Sequence, residues 1–185
     1  MSEDGAKAIV LDYLAHGRSD GGGPSFDQDP VAQAIGVEGF RLYELLLAPD
    51  ADVSIGDELV VRPPESPVTE FRELTYENLS QGAQAELEYV IKELIEANED
   101  RFIRVFNEAQ PITLRLHQLN LLPGIGDKLR DQILDQRKRQ PFTDFDDVAS
   151  RIDGLHDPNR IFVDRILSEL RDDDIKYQLF VGGPY

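Results

Sequence analysis

The spacing of apolar residues changes character near residue 80. Before it, apolar positions come in short runs separated by Gly, Pro, Ser and Asp. Ala8–Leu14 (AIVLDYL), rich in β-branched and bulky residues, predicts a first strand. Gly17–Pro30 (GRSDGGGPSFDQDP) reads as a mobile loop. Val31–Ile35 and Phe40–Leu47 flank Gly36–Gly39 as the arms of a hairpin, with Phe40, Leu42 and Leu46 expected on one face of the second arm. Ile55-Gly56-Asp57 introduces a strand Leu59–Arg62 that Pro63-Pro64 stops, and Val68–Tyr76 is a last extended stretch.

After residue 80 the period becomes three to four. Leu87, Val90, Ile91, Leu94 and Ile95 form a helical stripe with Ser80 as its N-cap, and Phe102, Ile103, Val105 and Phe106 mark a second helix over Asp100–Ala109. Pro111 is expected to open a helix through Leu114, Leu116 and Leu119 that ends on Pro123-Gly124. Another helix follows from Asp127 to about Gln140 and stops before Pro141. A looser copy comes next. Thr143 is the expected N-cap, with Asp146 three residues on and a stripe of Phe145, Val148, Ala149 and Ile152. Asp153-Gly154-Leu155 is a second turn, and Asp157-Pro158 leads into Ile161–Leu170. Ile175–Val181 (IKYQLFV) reads as a closing strand.

The expectation is an α+β chain: a small OB-like β-barrel over 1–79, connecting helices over 80–110, a tandem of two helix, hairpin, helix units over 111–172 and a C-terminal strand or tail over 173–185. Tyr13, Phe40, Tyr43, Phe71 and Tyr76 are expected as core of the barrel rather than as surfaces for stacking bases.

Composition narrows the chemistry. The chain of 185 residues has no cysteine, so disulfides, thiolate catalysis and cysteine-bound metals are excluded. His16, His117 and His156 are scattered without metal-ligand spacing, and His117 is expected to pack or cap. No apolar run approaches a membrane span, and the N-terminus lacks the pattern of a signal peptide, which predicts a cytoplasmic protein. The net charge of −17 argues at first against binding nucleic acid. Two features soften that. Fourteen arginines stand against five lysines among abundant acids, a balance that suits molar salt, where screening shortens the reach of charge to about 3 Å. The acid is also unevenly placed: residues 1–100 carry 6 basic and 22 acidic residues, whereas residues 101–171 carry 12 and 11.

The near-neutral half contains Leu121–Ile133, LLPGIGDKLRDQI. A Gly-aliphatic-Gly turn lets the chain reverse with its amides outward and no side chain in a ligand's way. The helix that follows opens near Gly126-Asp127 on unpaired N–H groups and a positive dipole end, an anion site needing little net charge. Ile125 would anchor the turn from beneath. Lys128, Arg130 and the cluster Arg137, Lys138 and Arg139 could reach neighbouring phosphates. The carbonyls of Gly124–Gly126 could hold K+ or Na+ between turn and phosphate; no other cofactor is expected.

LLPGIGDKL resembles the helix-hairpin-helix motif, a binder of DNA and RNA backbones with the pattern hydrophobic-Pro-Gly-hydrophobic-Gly-x-Lys, matched by Leu122, Pro123, Gly124, Ile125, Gly126, Lys128 and Leu129. The whole chain resembles an archaeal family of unknown function whose members are described as nucleic-acid-binding, with an OB-like barrel before a helix-hairpin-helix module. PVAQAIG (30–36), IGDELVV (55–61), FNEAQPITLRLHQLNLLPGIGDKL (106–129), PFTDFDDV (141–148) and KYQLFV (176–181) carry that resemblance. It implies a non-catalytic binder of RNA, in ribosome- or translation-related contexts, or of DNA. Asp127 departs from an ideal phosphate site, and the turn at Asp153-Gly154-Leu155, lacking the second glycine and the lysine, is expected to be structural. Two other readings compete. One is an adaptor whose acidic barrel meets a basic ribosomal or transcription-related protein. The other is a lysine-dependent DNA glycosylase-like enzyme, with Lys128 and Asp146 or Asp147 as the reacting pair.

Overall fold

A computed structural model describes residues 5–17 and 29–185, so the loop expected between Gly17 and Pro30 lies almost wholly outside the described residues. The chain divides into two compact units, Met1–Val90 and Ile91–Tyr185. The division falls inside the helix that follows residue 80, whose first turns group with the sheet.

In the first unit, β1 (Ala6–Leu14), β2 (Val31–Gly36), β3 (Leu42–Leu47), β4 (Glu58–Arg62) and β5 (Val68–Leu74) form one antiparallel sheet in the order β4-β1-β2-β3-β5. β1 serves both β2 and β4, with register shifts on each side that bend it. The edges β4 and β5 are joined by no ladder among the described residues, so the sheet is an open half-barrel. One face alternates inward as Ala8, Val10, Ala32, Ala34, Tyr43, Leu45 and Leu47, closed over by Val53, Val61 and Val68. Tyr43 meets Phe71 edge-on at 5.9 Å. Phe40, Tyr43, Tyr13, Phe71 and Tyr76 are buried or half-buried, as expected of core. Phe40, however, precedes β3: it takes φ +54°, a left-handed conformation rare for an aromatic, and is 1% exposed, so burial of the ring offsets backbone strain of about 1–3 kcal/mol.

The other face carries a polar line across four strands. Asp12, Gln33, Glu44 and Arg72 are successive cross-strand partners. Ser80 fixes the start of α1 (Gln81–Ala97) to this line. Its Oγ accepts from Ala83 N at 3.0 Å, as an N-cap should, and donates to Asp12 Oδ2; its N–H donates to Gln33 Oε1 at 2.8 Å. Glu44, fully buried, accepts from the Arg72 guanidinium.

In the second unit, α2 (Glu99–Glu108), α3 (Asp127–Arg139), α4 (Phe145–Arg151) and α5 (Pro158–Arg171) pack around a phenylalanine cluster, with Phe162 of α5 at 5.1 Å from Phe102, 5.3 Å from Phe106 and 5.7 Å from Phe180. Asp157 caps α5 ahead of Pro158, as the Asp-Pro pair indicates. Three expectations fail here. The helix expected from Pro111 is absent: 111–117 is a tight finger, and only Gln118–Leu121 winds, as a single 3-10 turn. The segment closes on itself instead: Ile112 N and Thr113 N donate to Leu116 O, Gln118 N donates to Gln110 O, and Thr113 Oγ1 accepts from Arg115 N and Leu116 N. The cap of α4 is Asp144, which accepts from Asp147 N at 2.7 Å, rather than Thr143. Among the described residues Ile175–Val181 pairs with no strand, because the amides of Leu179, Phe180 and Val181 all donate to Glu169 Oε1. Among the described residues no helix is long and apolar enough to cross a membrane.

Candidate nucleic-acid interface

The turn Leu122–Gly126 is entered from the 3-10 turn and left through α3. Gly124 takes φ +81°, a conformation that requires glycine, while Gly126 is extended (φ −86°, ψ −172°) and serves as N-cap. A Cβ at either glycine would meet nothing within 4 Å, so both face open space. Ile125, 4% exposed, and Leu122, 1% exposed, anchor the turn from below, and Ile125 N donates to Leu122 O. The first internal bond of α3 is Arg130 N to Gly126 O, and no side chain caps the helix. The amides ahead of Arg130 are therefore the orphan donors of a helix start. α4 and α5 differ: each carries an aspartate that occupies that position. Gly126 leaves it vacant in α3.

His117, which caps as expected, joins Asn120, a residue the sequence reading did not single out, in holding the turn in shape. His117 and Asn120 form a reciprocal capping box: Leu119 N donates to His117 Nδ1 at 3.1 Å, and His117 N donates to Asn120 Oδ1 at 3.2 Å. Asn120 Nδ2 donates onward to Ile125 O at 3.4 Å, and Arg130 Nη1 donates to Asn120 Oδ1 at 3.2 Å. The capping-box signature of a His followed three residues later by Asn was the available signal; the helix expected there concealed it.

The expected phosphate ligands separate into groups. Lys128 is exposed in the first turn of α3. The Leu129 side chain lies toward Gly154, where a Cβ would be 3.7 Å from its Cδ2, so it joins the two turns. Arg130 is bound to Asp127 and Asp131 as well as Asn120, which leaves it a support of the turn. Arg137 is turned inward: its Nη1 donates to Ala109 O at 2.9 Å and Phe106 O at 3.3 Å, capping the end of α2. Lys138 and Arg139 are exposed, about 15 Å along α3 from Lys128. Pro123 is half-buried between Leu122 and Gly124. Of the carbonyls nominated for a cation, those of Ile125 and Gly126 already accept hydrogen bonds from Asn120 and Arg130 N. Asp147, nominated beside Lys128 for lysine chemistry, is bound to Arg151 at 3.0 Å and to Thr143 N at 3.1 Å, and Asp146 is exposed in the first turn of α4.

Burial, with the Arg137 and Arg130 guanidinium groups beside it, holds the His117 imidazole below its usual pKa. Geometry agrees, since Nδ1 must be unprotonated to accept from Leu119 N. A folded-state value below the unfolded one means that the imidazole's stabilisation is complete above about pH 6.5 and is lost as the pH falls from there through the lowered value. The stability advantage of wild type over His117→Asn, followed by thermal unfolding, is expected to shrink as the pH falls below about 6.5. An advantage constant with pH would show that His117 does not titrate in this way. Asp147 behaves in the same sense at lower pH: burial alone would raise its pKa, but Thr143 and Arg151 outweigh it and hold the carboxyl low.

Residues 4–182 match a family model described as a protein family of unknown function, DUF655, and the chain belongs to this family. An uncharacterised protein of Methanocaldococcus jannaschii is 38% identical over 177 residues, covering 94% of this chain and 78% of that protein. The crystal structure of Af1531 from Archaeoglobus fulgidus, described under the same family model, superposes with a TM-score of 0.87 at 35% identity over 95% of this chain and 99% of that one.

Proposed function

We propose that this member of the family binds the phosphate backbone of a nucleic acid through the Gly124–Gly126 turn and the open start of α3, without catalysing a reaction on it. The observation that carries the reading is the uncapped, unobstructed N-terminus of α3, set on two exposed glycines and flanked by Lys128. An oxygen of a phosphate placed there would accept from the orphan amides, while the helix dipole favours its charge. Lys138 and Arg139 extend the basic surface along the helix toward further phosphates. In this reading the turn is of the helix-hairpin-helix kind, with a 3-10 turn in place of a full first helix. The strand order β4-β1-β2-β3-β5, in which β1 is shared by β2 and β4, fits an OB-like sheet. RNA is favoured over DNA on the family resemblance alone, since the turn's own motif suits either backbone, and a K+ ion would have to share carbonyls already engaged.

Gly126→Asp tests this without disturbing the fold, because Gly126 has ordinary φ and open space around it. The new carboxylate would cap α3 from the N-cap position and occupy the donors a phosphate needs. Stability should be unchanged or slightly higher. Binding of dye-labelled structured RNA, single-stranded RNA and duplex DNA, measured by anisotropy in about 1 M KCl, should weaken at least about tenfold. Undiminished binding by Gly126→Asp would remove the turn from the interface.

A further inference from the structure

Glu108 and Asp127 bracket 18 consecutive residues without an acid, the longest such stretch in a chain of 36 acids. The phosphate-binding turn fills its C-terminal end. Its N-terminal half is the finger 111–117, which the proposed function has not used. Pro111 is bridged to His117, and Ile112 N and Thr113 N both donate to Leu116 O, at 2.7 and 3.0 Å. Thr113 Oγ1 accepts from Arg115 N and Leu116 N. These bonds hold the tip in one shape and present Leu114 and Arg115 to solvent.

Leu114 is 107% exposed, against 59% for Tyr89 and 52% for Ile55, the other exposed large apolar residues among those described. A single leucine on a surface calls for no explanation. A leucine at the apex of a hydrogen-bonded finger, inside the longest acid-free stretch and locked to a phosphate-binding turn, does. The lock is the His117–Asn120 box at the base of the finger, since Asn120 also donates to Ile125 O. Leu114 lies three residues from that base, so the tip stands at most about 10 Å from it, within about three base steps along a strand.

We propose that Leu114 is a wedge that enters the base stack of a double-helical nucleic acid at a bulged or mismatched step, a few steps from the phosphate held by Gly124–Gly126. The inference rests on the phosphate-binding reading of that turn. Aliphatic side chains inserted between base steps are the device by which proteins unstack and kink a duplex. Single strands are instead gripped by stacking on aromatic rings, and residues 107–141 contain no Phe, Tyr or Trp. Arg115, next to the wedge, is placed to meet the backbone beside the opened step. A bulge or mismatch lowers the cost of unstacking, so the finger would select such sites from perfectly paired helices.

The test uses a short RNA duplex with a one-nucleotide bulge and a 2-aminopurine beside it, its DNA counterpart, the perfectly paired duplexes and the separate single strands, in about 1 M KCl. Anisotropy reports binding, and the 2-aminopurine brightens when its stack opens. Wild type should bind the bulged duplex most tightly and brighten it. Leu114→Ser, at a position with no protein contact to lose, should bind the bulged duplex about tenfold more weakly, the order expected when a leucine's burial is forgone. It should also leave the probe dark. Equal behaviour of Leu114→Ser and wild type, wild-type binding without brightening, or equally tight binding of the single strands would each overturn the wedge. Loss of binding in Gly126→Asp alongside an unaffected Leu114→Ser would retain the turn and reject the finger. Absence of wild-type binding to every probe would reject both.

Discussion

Glu169→Ala is expected to destabilise the unit Ile91–Tyr185 by about 3–5 kcal/mol, lowering its thermal midpoint by on the order of 15–25 °C. Glu169 is 2% exposed and its two oxygens have separate duties. Oε2 accepts from Arg165 Nε at 2.9 Å, while Oε1 accepts from three consecutive amides, Leu179, Phe180 and Val181, at 2.9–3.2 Å. Arg165, 7% exposed, spends its remaining donors on Leu121 O at 3.1 Å and on Tyr177 O. One i,i+4 pair on α5 therefore holds the C-terminal segment and the residue that leads into the Leu122–Gly126 turn. Alanine would leave a buried guanidinium without its counter-charge and three amides without an acceptor. A double replacement, Arg165→Met with Glu169→Leu, distinguishes the two losses. Buried ion pairs replaced by apolar residues often lose nothing, but here the orphaned amides persist, so the double variant should regain only part of the stability. Full recovery would mean that the amides contribute little, and a loss below about 1 kcal/mol in Glu169→Ala would mean that the lock itself does.

Phe162→Ala is the second large effect, a loss of about 3–5 kcal/mol in denaturant unfolding. The ring is fully buried, and four others surround it: Phe102, Phe106, Phe180 and, at 5.9 Å, Phe145. Alanine there would open a cavity bordered by α2, α4, α5 and the C-terminal segment together, with the loss of several tilted and edge-on ring contacts. Phe145→Ala, at a half-buried position, should cost clearly less. Equal losses at the two positions would contradict a cluster centred on Phe162. Both large effects lie beneath the turn rather than at it, whereas Gly126→Asp and Leu114→Ser act on exposed atoms and should leave stability intact.

Local signals settled much of this protein before any tertiary contact is considered. The change from short runs to a three-to-four period near residue 80, Ser80 as the cap of α1, Asp157-Pro158 at the start of α5 and glycine at the left-handed position 124 depend on atoms a few residues apart. Such features are readable because their energetics are short-range: a capping oxygen, a fixed φ, a stripe on one helical face. The near-neutral charge of residues 101–171 is likewise a property of composition.

Other features belonged to the tertiary structure. The apolar spacing Leu114, Leu116, Leu119 suited a helix, yet Thr113 captured the local amides, Gln118 N donated to Gln110 O, and a finger resulted. IKYQLFV has the composition of a strand, yet its amides found a carboxylate ten to twelve residues back on α5. Arg137 read as one of three equivalent basic residues, yet two carbonyls at the end of α2 drew it inward and left Lys138 and Arg139 outside. Arg165 and Glu169, which the sequence reading passed over, are buried on the same helix as Phe162, Ile166 and Leu170, and their partners lie on other segments. For the C-terminal segment, Arg137 and Arg165, a backbone or guanidinium group had to be satisfied away from solvent, and the group that satisfied it lay outside the reach of any local pattern.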